Sequence, residues 1–239
     1  RLAGTLGHTD IVVQALKSSA RSVNCSLRAR LHSIQALHAL SRCSQIREQL
    51  GRAKIVHDVC LPILSAEEGD KLMTDMQTLA TLTAANLTSG PDDEAMYAHR
   101  EHVRALVPAL AASINHGEGT KLGRRSGHLL EGLSHFSGND GLKKDIVESK
   151  ALELSMDLIA MAHKQNQRAG FLELLLDIVL KLSFSKHARD RMAQLDCVGM
   201  LRAHAIGPNQ VLRRTAGAAL WCLGERVALG DVGQKYEQE

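Results

Sequence analysis

Apolar segments that recur every 40 to 50 residues constrain this chain more than any other feature. Strongly apolar stretches of helical period end at Leu40, Leu87, Leu133, Leu182 and Leu223, placing successive ends 47, 46, 49 and 41 residues apart. After each of the first four come a short polar break and a short charged segment, around Gln45 to Leu50, Glu94 to Val103, Leu142 to Glu148 and Ala188 to Gln194. A second apolar stretch follows: "KIVHDVCLPIL", "VRALVPALAASI", "ALELSMDLIAMA" or "VGMLRAHAI". Loops such as "SAEEGD", "NHGEGT", "HKQNQ" and "GPN" then lead into the next long segment. Self-similarity at this period marks a stack of repeats, because one unit of this size cannot bury its apolar face alone.

The register inside the long segments points the same way. Three residues before the terminal leucines stand Leu37, Ala84, Leu130, Val179 and Leu220, all apolar. Seven before them stand Ser33, Ala80, Ser126, Leu175 and Ala216, mostly small. Such a ridge lets neighbouring helices approach closely. The nearly unbroken run "LELLLDIVLKL", Leu172 to Leu182, is then a helix covered by the units before and after it. Composition agrees: aromatics are 3% of the chain against 44% for the AVILMFWYC set, with four prolines, which favours helices over a sandwich or barrel. Each unit therefore reads as a short, a medium and a long helix.

This three-helix unit resembles the armadillo repeat, and the neighbouring HEAT-type repeat is the alternative. The resemblance runs from about Leu27 to Leu223, with a partial unit at "RLAGTLGHTDIVVQALKSS". It implies an all-α, right-handed α-solenoid of about five armadillo-like three-helix repeats. The expected organisation is one repeat domain over residues 1–225, with units near 1–25 (partial), 26–69, 70–119, 120–166, 167–209 and 210–225 (partial). Residues 226–239, "RVALGDVGQKYEQE", read as a tail or linker.

The resemblance also implies a function. Armadillo arrays present a concave groove, lined by their third helices, to extended peptides or other proteins. In the nuclear-import receptors a Trp and an Asn, five and one residues before the terminal leucine, hold the peptide backbone. The matching pairs here are Gln35/Ala39, Leu82/Asn86, His128/Gly132, Asp177/Lys181 and Ala218/Cys222, with no Trp and a single Asn. A nuclear-signal receptor is therefore disfavoured. The stripe instead carries a mixed polar row: Arg28, His32 and Gln35, then Asp75 and Asn86, then Lys121, Arg125 and His128, then Asp177 and Lys181. These ten residues are the groove-lining candidates for binding a partner. A plain solvated surface is the competing reading, and Asp177 with Lys181 is an ordinary i, i+4 pair worth ~0.3 to 0.5 kcal/mol.

Net charge is +3, yet residues 1 to 60 hold nine Lys/Arg against three Asp/Glu, while residues 61 to 100 hold two against seven. The expected partner is a protein, with an acidic segment received near the amino-terminal repeats, and the chain suits a subunit of a larger complex. Nucleic acid is disfavoured, because the acidic stretch from Glu67 to Glu94 would repel a phosphate backbone and no aromatics interleave the arginines.

Enzyme chemistry finds little support. His99 and His102 in "AHREHV" are three apart, but the spacing is not H-E-x-x-H and no third ligand is evident, so no metal is expected. "GRRSG", Gly123 to Gly127, lacks the spacing of G-x-S-x-G, and Ser126 occupies a packing position. "GEGTKLG", Gly117 to Gly123, lacks the full phosphate-loop pattern and reads as an inter-repeat turn in which Thr120 caps the next helix. Anion binding there, aided by Lys121, Arg124 and Arg125, is the alternative. No catalytic residue and no cofactor is expected. The alternative function is a regulatory, autoinhibitory or ligand-sensing armadillo domain of a larger enzyme, comparable to that of the NAD-cleaving TIR enzymes, whose last repeat the ending "AALWCLGERV" resembles.

The five cysteines are odd in number and scattered, with no C-x-x-C, which fits reduced thiols. An intracellular, cytoplasmic setting is expected, with nucleus or organelle also compatible. No apolar run is long enough to span a bilayer. The chain opens at Arg1, as a fragment of something longer would.

Overall fold

A computed structural model describes residues 2–67, 69–88, 94–115, 124–165 and 169–225. Its helices are α1 (Leu2–Arg21), α2 (Leu27–Ser41), α3 (Ser44–Arg52), α4 (Leu61–Leu64), α5 (Lys71–Leu87), α6 (Arg100–Asn115), α7 (Arg124–Ser137), α8 (Asp140–Glu148), α9 (Ala151–Gln165), α10 (Ala169–Ser183), α11 (Lys186–Gln194), α12 (Cys197–Ala205) and α13 (Gln210–Cys222). A π-helical turn, Val56–Cys60, leads into α4, and a 3-10 turn, Glu94–His99, leads into α6. Among the described residues there is no strand. The fold is all-α, built of three-helix repeats as the period predicts.

Side chains written for the purpose start several of the helices. Ser26 accepts the Ala29 amide at the head of α2, and Asp70 the Met73 amide at α5. Asn139 accepts from Gly141 at α8, and Asn209 from Val211 and Leu212 at α13. Each satisfies amides that the first turn leaves without a carbonyl.

Two expected segments differ in form. The short helix expected over Glu94 to Val103 is a 3-10 turn that continues directly into α6, because nothing between His99 and Arg104 breaks a helix. The medium helix "KIVHDVCLPIL" is split. Pro62 has no amide hydrogen and its ring would strike the carbonyl four residues back, so the chain widens into the π turn, where the Leu61 amide reaches the Val56 carbonyl. The corners before three of the medium segments are turned by left-handed residues, Lys54 (φ 55°), Lys150 (φ 69°) and Asp196 (φ 50°).

The chain divides into two compact units, Arg1–Ala109 and Leu110–Glu239. In the first, α2 packs against α1 and α5, and the π turn and α4 pack against α5. In the second, α10 packs against α7, α9 and α13, while α12 packs against α13 and α8 against α11. The long helices thus stack in sequence order within each unit. The ridge expected from the register is the core: Leu37, Ala84, Leu130, Val179 and Leu220 are all 0% exposed. At the small-residue register Ala80, Leu175 and Ala216 are equally buried, with Ser126 at 1% and Ser33 at 6%. Ser33 meets Ser19 of α1 at 2.8 Å, and at the same register Ser126 meets Ser113 of α6 at 2.9 Å. Small hydroxyl residues therefore join the medium to the long helix in both units.

Candidate partner-binding face

The candidate residues fall at repeated positions of the long helices, and the structure shows which way those positions turn. Arg28, His32 and Gln35 lie on one exposed face of α2. His32 Nδ1 is 3.0 Å from Gln35 Oε1, so two of the three side chains order each other. Arg30 turns the other way, its Nε donating to the Ala20 carbonyl at the end of α1 over 3.0 Å. Other cations of this basic region are also engaged in structure. Lys17 Nζ lies 2.6 Å from Asp58 and donates to the Ala53 carbonyl, and Arg47 donates to the Ser41 carbonyl. The Lys17 hydrogen bond holds the Asp58 carboxyl below its ordinary range.

On α5, Asp75 is half-buried, while Asn86 is buried and donates its amide to the Ser41 hydroxyl of α2 at 2.9 Å. His128 is half-buried on α7. Arg125 belongs to α7, but its side chain, like all of Lys121, Arg124's side chain and the loop with Thr120, lies outside the described residues.

On α10, Asp177 and Lys181 pair at 2.7 Å, and both reach Ser134 of α7. The Ser134 hydroxyl donates to Asp177, and Lys181 Nζ donates to the Ser134 hydroxyl and carbonyl at 3.0 and 3.1 Å. Asn86 and Lys181 both stand one residue before a terminal leucine, and Ser41 and Ser134 both stand one after. The same rung therefore forms in each compact unit, with the long helix turning this face back onto its predecessor. The structure brings Arg28, His32 and Gln35 together, and separately Asp177 and Lys181. Ser41 and Ser134 were missed by sequence reasoning, although the Leu-Ser pairs at 40–41, 133–134 and 182–183 were a visible signal.

Chemistry elsewhere is sparse. Ser126 is buried against Ser113, which gives it no path to a substrate. Among the described residues one group of His, Cys, Asp and Glu side chains has metal-binding proximity, His99 with Glu101 and His102. Cys60 and Cys197 are buried, which pushes their thiols up to about 12 and about 11. All five thiols are free. No helix among the described residues is long and apolar enough to cross a membrane.

No protein-family model and no curated protein sequence matches the chain. Solved structures do. The designed armadillo repeat protein YIII(Dq)4CqI superposes with a TM-score of 0.57 at 12% identity, over 87% of this chain and 80% of its own. The fold is armadillo-like. Two engineered proteins from the Northeast Structural Genomics Consortium also match this armadillo-like chain, with TM-scores of 0.58 and 0.60 at 15% and 17% identity. Each match covers 88% of this chain, against 78% of the first protein and 47% of the second.

Proposed function

We propose that this armadillo-like chain is a non-catalytic protein-binding scaffold that receives an acidic partner segment on the α2 face of Arg28, His32 and Gln35. One observation carries the reading. On α2 the side chains of Arg28, His32 and Gln35 share one exposed polar face, and His32 Nδ1 stands 3.0 Å from Gln35 Oε1, so the face is ordered and open to a partner. Surface side chains of that kind guide and orient a charged partner more than they tighten it, since exposed charges are screened over ~8 Å at physiological salt.

Because Arg30 holds the end of α1, charge reversal there would disturb packing, and the informative substitution is Arg28→Glu. The probe is a fluorescein-labelled deca-glutamate peptide, followed by anisotropy at about 50 mM and about 300 mM NaCl. Expected is saturable binding that weakens with salt and falls roughly fivefold or more in Arg28→Glu. Equal binding by wild type and variant at low salt would refute an electrostatic role for this face.

A further inference from the structure

We propose that His99, Glu101 and His102 form a binding site for a divalent transition-metal ion, zinc by its donor set. One ring nitrogen of each histidine and a carboxylate oxygen of Glu101 lie within 4.8 Å of one another. Two imidazoles and a carboxylate are a donor set that zinc accepts, leaving a fourth tetrahedral position for water. Ligand bonds of about 2.0 to 2.2 Å place donor atoms roughly 3.4 Å apart around such an ion. The remaining closure falls to Glu101, an exposed side chain with freedom to swing.

The sequence alone shows two histidines three residues apart and no third ligand. The local backbone supplies it. His99 ends the 3-10 turn Glu94–His99, and Glu101 and His102 open α6, so the ligands straddle a change of helical winding. The imidazole rings stand 6.3 Å apart, tilted by 37°.

A second, independent feature prepares His102. Its Nε2 lies 2.9 Å from the Leu64 carbonyl, and since a carbonyl only accepts, Nε2 carries the hydrogen. Nδ1 then keeps its lone pair. A hydrogen bond from one ring nitrogen to a backbone carbonyl fixes the tautomer of a histidine and leaves the other nitrogen to ligate, so Glu101, whose Oε1 stands 3.7 Å from Nε2, must turn toward Nδ1 to complete the set. An ion here would clamp the 3-10 turn to α6 and, through Leu64, to α4.

The test is calorimetric titration of zinc sulfate into chelator-treated protein near neutral pH, with wild type, His99→Asn and Glu101→Gln compared. Both substitutions leave the His102–Leu64 bond in place, and circular dichroism verifies the fold. Wild type should bind one more equivalent than His99→Asn, and excess zinc should raise its Tm by an increment the variant lacks. Glu101→Gln should bind that equivalent more weakly. The extra equivalent should disappear as pH falls, since both imidazoles must be neutral. Equal stoichiometry and affinity in wild type and His99→Asn would assign the zinc to scattered thiols and histidines and overturn the site.

Discussion

Asn86 reaches across from α5 to place its side-chain amide 2.9 Å from the hydroxyl of Ser41, a residue that is itself 0% exposed at the end of α2. The Ser41 hydroxyl in turn donates to the His38 carbonyl at 2.8 Å, so the rung ends on backbone. Asn86→Ala should cost about 1 to 3 kcal/mol, and Ser41→Ala a similar amount, because each leaves a buried polar group short of a partner. The double variant should cost less than the sum of the two. Urea unfolding of the four proteins supplies the cycle, and strict additivity would show that the contact carries no energy.

The buried ridge should respond to volume in both directions. Leu130→Ala and Leu220→Ala each remove a 0% exposed side chain and should cost ~2 to 5 kcal/mol. Ala84 occupies the same register and is likewise 0% exposed, so Ala84→Leu should cost ~1 to 3 kcal/mol by overpacking. Thermal and denaturant melts measure all three. A loss below about half a kcal/mol at Leu130 would contradict the shared register.

Lys150 holds a left-handed backbone conformation with its side chain exposed. That conformation costs a residue with a β-carbon about 1 to 2 kcal/mol, while glycine loses only about 0.5 to 1 kcal/mol of extra chain entropy. Lys150→Gly should therefore stabilise by about 0.5 to 1 kcal/mol, seen as a higher midpoint in urea.

Thiol reactivity should sort by burial. At pH 8 a thiol pushed to about 12, as Cys60 is, has ~10⁻⁴ of its population as thiolate, and Cys197, at about 11, has ~10⁻³. Ellman's reagent should titrate Cys25, Cys43 and Cys222 in the native protein and the remaining two only after unfolding. Rapid modification of Cys60 in the folded chain would show that its surroundings open.

Leu37, Leu130, Val179 and Leu220 were legible because the repeat period forces one register to the interior, and nothing local competes with that demand. The polar stripe was legible only as a stripe. Whether Asn86 or Lys181 points outward or back onto a neighbour depends on the tilt between adjacent long helices, and composition along one helix carries no record of that angle. Lys54 and Lys150 escaped notice for another reason: a left-handed corner is normally announced by glycine or asparagine, and here lysine occupies it. Glu101 stayed hidden beside His99 and His102 because an i, i+2 neighbour faces away on a uniform α-helix, and the 3-10 turn alters that phase.

The rungs at Ser41 and Ser134 also set a timetable for synthesis. Asn86 follows Ser41 by 45 residues, and Lys181 follows Ser134 by 47. A ribosome making this chain therefore releases the partners for each long helix within one further repeat of translation. The amino-terminal helices can close their hydrogen bonds while the carboxyl-terminal ones are still unmade, and apolar faces such as that of α2 spend little time bare during translation.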